Sequence, residues 1–239
     1  ASFAMTAVGQ FLVSFNAFLG VMFLFARFSK VEGFTYSEVL LCFSISLLAF
    51  SLAEMIARGF DTFSFQIRTG SFDRVLVRPQ SEILQVLGSK FELTRVGRML
   101  QALIMFVYGI LHSHVQWTIL KVVCVGLMLL GGMALFSGIF MIYAAFCFFT
   151  IEGLEFMNIL THGAREYGTY PLSIYGKRIL QITTFFIPYA LVQYYPLLYL
   201  LGRRTSWFYA YLPLLAFFFL LPCFAFWRFG VRHYKSCGS

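Results

Sequence analysis

Charge is what this sequence has least of. Asp, Glu, Lys and Arg make up 12% of its 239 residues, about half the share of an average soluble domain, which is ~25%. Acidic groups are the scarcer sign, ten against eighteen Lys and Arg, for a net charge of +8. With 60% hydrophobic residues and a mean hydropathy of +0.80, this composition excludes a soluble domain, which has no means of hiding so much apolar surface. It also removes nucleic acid as the reason for the basic excess. In a membrane protein Lys and Arg mark the cytoplasmic loops. Several motifs are missing. No GxxxxGK[ST] phosphate loop occurs, so ATP is not bound in the P-loop manner, and HExxH and GxSxG do not occur either. The five cysteines (Cys42, Cys124, Cys147, Cys223 and Cys237) form no CxxC and read as small buried hydrophobes. The apolar opening runs too long for the h-region of a cleavable signal peptide. No repeat of 20–50 residues and no separate soluble domain is visible.

What remains is an all-α integral membrane protein with six membrane segments, treated as one transmembrane domain over residues 1–239. A span needs roughly 20 apolar residues. The first is 4–26, ended by Arg27 and Lys30, and the second is 39–57, ended by Arg58 and Gly59. A polar interruption, 58–98, then carries Arg58, Arg68, Arg74, Arg78, Lys90, Arg95 and Arg98, against Asp61, Asp73, Glu82 and Glu92. The bias places this stretch and both termini in the cytoplasm and the 28–38 loop outside. Gly70 marks a turn, and Pro79 suits a helix start. Ile83, Leu84, Val86, Leu87, Phe91, Val96 and Leu100 recur at helical spacing. That spacing predicts an amphipathic surface helix climbing into a third span at 97–112. "HSHVQW" is an outside turn with Trp117 at the interface.

The block 118–150 allows two readings. As one helix it would reach about 50 Å, too long for an untilted span. Gly131, Gly132 and Gly138 offer a turn, and the preferred reading has spans at 118–137 and 139–160. The other has one long tilted helix and a span at 179–201. Pro188 and Pro196, with Tyr195 between them, instead favour a broken, re-entrant segment over 164–203 near the outer face. The last span is 207–229. Arg228, Arg232 and Lys235 put the C-terminus inside, and Arg203 and Arg204 remain outside, mildly against the charge rule.

Candidates for chemistry are few. His112 and His114 suggest a metal only weakly, and read better as interfacial polar residues. Glu152 and Glu155 share a helix face, which suits proton coupling or an end-of-span contact. Asn16 and Glu54 lie within spans, where a polar group is costly unless paired. Glu54 with Arg58, one turn on, reads as a pair reaching the inner interface. "GGMALFSG" is a small-residue stretch for close helix approach. The best lead is "IRTGSFDRVLVRPQSEILQ", which sets Phe72 and Leu76 among charges. Basic clusters bind anionic lipid, but interleaved carboxylates favour a protein partner.

Three stretches carry a resemblance. "GSFDRVLVRPQSEILQVLG", followed by "RVGR", is similar to the cytoplasmic signature of ABC-2-type permeases in the daunorubicin-resistance-like branch, approximately Gly-x-Phe-Asp-x-Leu-Leu-x-Arg-Pro. "YPLSIYGKRILQITTFFIPYALVQYYPLLYLLG" resembles that family's late segment, and "GVRHYKSCGS" its closing Gly-x-Arg-x-Tyr-x-x-x-Gly. The resemblance covers most of the chain from residue 70. It implies a six-span exporter subunit of a bacterial inner (plasma) membrane, without catalysis of its own. Such a subunit pairs with a second copy or a related permease and binds two ATPase subunits, which hold the ATP and magnesium. It implies a coupling helix between spans two and three. Gly70, Phe72, Asp73, Arg74, Leu76, Arg78 and Pro79 are then the expected ATPase contact. The family usually has an amphipathic helix before the first span, whereas this chain opens almost at the span. The 31 Phe and 13 Tyr suit a hydrophobic or amphipathic cargo, and lipid-facing positions explain them equally. The competing readings are an ion-coupled secondary transporter using Glu54, Glu152 or Glu155, and an intramembrane lipid enzyme using His112, His114 or His162.

Overall fold

The computed structural model describes residues 2–113, 115–150, 163 and 168–235. Among these residues the chain is helical, and its β pairing is confined to an isolated bridge between Val31 and Phe34. Five helices among the described residues are long and apolar enough to cross a membrane. These are α1 (Ser2–Arg27), α2 (Tyr36–Ile56), α7 (Val96–His112), α8 (Ile119–Phe146) and α13 (Leu215–His233), with short turns leading into the third and fifth. The protein is a multi-pass membrane protein.

α2 lies at the centre. Its first turn is closed by Glu38, whose carboxylate accepts from the Thr35 backbone N–H at 2.9 Å. Its apolar residues cover every side, as a helix buried all round requires. α7 and α8 flank it, and glycine sets the approach: Gly109 faces the backbone of Leu41, and Gly132 faces Ala49. α1 lies on the rim with most of its surface exposed. It touches α7 at Gly97, where a Cβ would fall 2.0 Å from the Ala7 carbonyl oxygen.

The turn expected between 137 and 139 does not form. α8 runs unbroken through Gly131, Gly132 and Gly138. These glycines are contact points: an added Cβ would come within 2.6 Å of the Pro213 carbonyl oxygen, 2.7 Å of Ala49 Cβ and 3.1 Å of Cys223 Sγ. The small-residue stretch serves helix packing instead of chain reversal. At 28 residues and about 1.5 Å per residue the helix is about 42 Å long, so it tilts or extends past a ~30 Å hydrocarbon layer. Residues 151–160 of the expected fifth span lie outside the described residues.

Between α2 and α7 the chain forms four short helices, α3 (Arg58–Asp61), α4 (Phe63–Arg68), α5 (Phe72–Leu76) and α6 (Glu82–Gly88), then a 3₁₀ turn, Leu93–Arg95. The single amphipathic helix expected from 83 into the third span is interrupted at 89–92. There the Glu92 N–H donates to the Met55 carbonyl at 3.2 Å and draws the chain back onto α2.

Residues 168–203 hold a 3₁₀ turn (Leu172–Tyr175) and the helices α9 (Lys177–Phe185), α10 (Tyr189–Val192) and α11 (Tyr194–Leu200). Gly176, at φ +90°, turns the chain into α9. Pro188 precedes α10, and Pro196 sits in the first turn of α11, where a missing N–H costs little. The buried Gln193 amide donates to the carbonyls of Gly168 and Tyr170 at 3.0 and 3.2 Å. Tyr195 stacks on Tyr209. α12 (Phe208–Tyr211) leads by a 3₁₀ turn into α13.

Contacts define two ends. At one, Arg203 binds the Gly33 carbonyl and Glu38, and Tyr36 meets Tyr108. At the other, the 58–96 segment meets Tyr234 after α13, and Arg98, just beyond it, meets Gln10 of α1. The start of α1 and the end of α13 therefore share an end with that segment.

Candidate functional site

The 58–96 segment stays against the bundle after leaving α2. Gly59 lets α3 approach α6, since a Cβ there would lie 1.8 Å from the Val86 carbonyl oxygen. Gly70, at φ +65°, turns the chain between α4 and α5, in a conformation that favours glycine. The Asp73 N–H then donates to the Gly70 carbonyl at 3.2 Å. α4, α5 and α6 enclose an open groove of about 940 Å³ whose lining includes Phe65, Arg74, Arg78, Leu84 and Lys90. Phe65 and Leu84 are 67% and 66% exposed, so its apolar side chains are open to a partner, with basic groups beside them.

A buried ionic cluster fastens this segment to three long helices. Glu54 of α2 is 1% exposed. Its carboxylate lies 2.8 Å from the Arg95 guanidinium and 2.6 Å from that of Arg98. Arg58 lies 3.5 Å from Glu54 and 3.0 Å from Glu92, and also binds Asp61. Arg98 reaches the Gln10 side chain of α1 and sits over the Phe50 ring at 5.6 Å. Three arginines thus meet three carboxylates, and the cluster is neutral. Burial pushes the Glu92 carboxyl up, but the Thr94 hydroxyl, Arg95, Arg58 and Lys90 outweigh it and hold the group below the usual carboxylate range.

The sequence pattern pairs Glu54 with Arg58 and places the pair at the interface. The structure keeps that pair but buries the carboxylate, and its closest partners are Arg95 and Arg98. Those two were missed. The available signal was two arginines three apart at the foot of a span, in a chain with an intramembrane acid.

The expected contact residues separate into two groups. Arg74, Arg78 and Pro79 are exposed, and Leu76 is 43% exposed. Val77, which was not singled out, is 86% exposed. Asp73 is half-buried. Phe72 is a correction: it is 0% exposed and packs inward against Phe63, Phe148 and Tyr234, so it presents nothing to a partner. Pro79 lies in the turn before α6 and does not begin that helix. Of the other candidates, Asn16 is exposed on α1, and His112 stacks on Tyr108 at 4.1 Å. His114, Glu152, Glu155, His162 and Cys237 lie outside the described residues. Among the described residues no group of three or more metal-binding side chains occurs.

A family model described as ABC-2 family transporter protein matches residues 11–238. No match was found among curated proteins or among solved structures.

Proposed function

The chain belongs to the ABC-2 family of transporters, and from that premise we propose that it is the membrane subunit of an ATP-binding-cassette exporter whose 58–96 segment receives a separate ATPase. The observation that carries this reading is the short helix α5. It is set off by Gly70 and, with the turn that follows it, displays Arg74, Leu76, Val77 and Arg78 at the end of the bundle. Apolar groups rimmed by charge suit a protein interface. The basic bias of 58–98 supports a cytoplasmic side for this end and for both chain ends beside it. On this reading ATP and magnesium reside on two partner ATPases. The permease pairs with a second copy or a relative, and the broken segment holding Pro188, Tyr195 and Pro196 re-enters from the outer face. The cargo is hydrophobic or amphipathic.

The ionic cluster weighs against an ion-coupled carrier based on Glu54. Its carboxylate is already engaged by Arg98, Arg95 and Arg58.

Photo-crosslinkers at Leu76 and Val77, activated in intact membranes, test the reading. Capture of an ATPase bearing a phosphate-loop motif is expected, together with its loss in Arg74→Glu/Arg78→Glu. Capture of lipid alone would overturn it.

A further inference from the structure

Six aromatic rings gather where the 58–96 segment meets the far side of the bundle. Phe60 lies on α3, Phe63 on α4 and Phe72 on α5. Phe148 follows α8, Trp227 lies on α13 and Tyr234 follows it. Phe63 and Trp227 have centroids 5.0 Å apart, and Phe60 and Trp227 5.4 Å. Phe72 lies 5.0 Å from Phe63, 5.3 Å from Phe148 and 5.2 Å from Tyr234. Phe148 and Trp227 stand 5.1 Å apart. Most of these pairs meet edge to face, the arrangement the ring quadrupole favours. Gly230 leaves room for the cluster, since a Cβ there would lie 2.5 Å from the Phe148 ring. Phe60, Phe63, Phe72 and Trp227 are all but inaccessible.

We infer that Phe72 is a positioning residue for transport: it transmits movement of α5 through this ring cluster to α13 and the end of α8, and it does not itself contact the ATPase. The inference rests on the reading above, that a partner ATPase moves the 58–96 segment. Close-packed protein interiors have low compressibility. A displaced Phe72 must therefore carry Phe148, Trp227 and Tyr234 with it or lose its contacts. α13 is packed along α8, with Gly138 against Cys223, so the pair shifts together. The ionic cluster runs the other way, from Arg58 of α3 to Glu54, Arg98 and Gln10, and so to α2, α7 and α1. One segment then has two outputs: charges lead to α2, and rings lead to α13.

The test is hydrogen exchange on the permease–ATPase complex in nanodiscs, with and without a non-hydrolysable ATP analogue. It needs no knowledge of the cargo. In the unmodified complex, nucleotide is expected to change exchange at 56–60, where α2 passes into α3 (the α2 response), and at 206–215, where α12 and the 3₁₀ turn lead into α13 (the α13 response). Phe72→Leu fills most of the space without a ring. It is expected to retain the ATPase and the α2 response and to lose the α13 response. In Phe72→Cys/Tyr234→Cys with Cys237→Ser, a short bis-thiosulfonate linker is expected to restore the α13 response, and a monofunctional reagent to leave it absent. An unchanged α13 response in Phe72→Leu overturns the inference. So does a formed linker that restores nothing, or loss of the ATPase from a Phe72→Leu protein that still unfolds cooperatively. Failure of the underlying reading looks different: the unmodified chain would then show no nucleotide response at either position.

Discussion

Glu54 and Phe72 stand on opposite sides of one segment, and the two attachments follow different physics. At Glu54 three arginines converge on one buried carboxylate, and two further acids complete the charge balance. Such a cluster demands its partners. Removing one leaves a buried charge uncompensated, which costs about 3–5 kcal/mol. At Phe72 the attachment is shape, spread over neighbouring rings. A hydrophobic replacement of similar volume costs less than about 1.5 kcal/mol. The charged attachment is therefore intolerant and directional, while the aromatic one is tolerant and built for contact over area. A segment held by both is fixed to α2 by charge and to α13 by packed rings.

The sharpest way to break this comparison is a charge change without a shape change. Glu54→Gln keeps the outline of the side chain but leaves Arg95 and Arg98 facing a neutral amide. A loss of about 3–5 kcal/mol is expected, measured as a lower unfolding temperature in detergent. A loss below ~1 kcal/mol would mean that water reaches the cluster and screens it. Phe72→Leu comes next, at about 1–1.5 kcal/mol. Phe72→Ala should be far worse, about 3–5 kcal/mol, because it opens a cavity among inaccessible rings. Equal losses for Leu and Ala would show that ring geometry, and not volume, holds α5.

The two attachments were also unequally legible in the sequence. The spans at α1, α2, α7 and α13 follow from apolar runs with basic residues at their ends. α8 was misread because glycine was taken as a sign of a turn, whereas Gly131, Gly132 and Gly138 face Pro213, Ala49 and Cys223, neighbours that no local pattern identifies. Glu54 with Arg58 was readable from one-turn spacing. Arg95 and Arg98 were not, since they arrive from the next span. Phe72 with Leu76 looked like an exposed apolar pair one turn apart. That Phe72 is buried depends on Trp227 and Tyr234, far along the chain. Charges announce that they need partners, and an aromatic residue among charges announces nothing about which way it points.

The opposite end of the bundle extends the comparison to an exposed site. Arg203 binds Glu38 at 2.8 Å and the Gly33 carbonyl at 2.7 Å, and lies over the Phe34 ring at 4.1 Å. These bonds hold the arginine at the end of the bundle opposite the 58–96 segment. The side chain remains about one-third exposed, so solvent screens the pair. Arg203→Ala is expected to cost about 1 kcal/mol, the scale of an exposed ion pair with a cation–π contact. A loss comparable to that of Glu54→Gln would show this exposed attachment to be as intolerant as the buried one.

The smallest effect is expected at Glu92, on the wetter edge of the ionic cluster, and it appears only in acid. Its carboxyl is held below the usual range because the Thr94 hydroxyl and the charges of Arg95, Arg58 and Lys90 outweigh burial. A depressed folded pKa means that the unfolded chain takes up the proton first. The contribution to stability is therefore complete above the ordinary Glu value, about 4.3, and is lost as pH falls through the lower folded value. Between about pH 6 and 8 the difference in unfolding temperature between Glu92→Gln and the unmodified protein should be flat. Below about pH 4 the two curves should converge, because protonation makes the native residue resemble the variant. Other carboxylates titrate in the same interval, so the difference curve is the quantity to measure. A gap that widens in acid would reverse the sign and place Glu92 among groups whose proton is held by burial, not driven off by arginine.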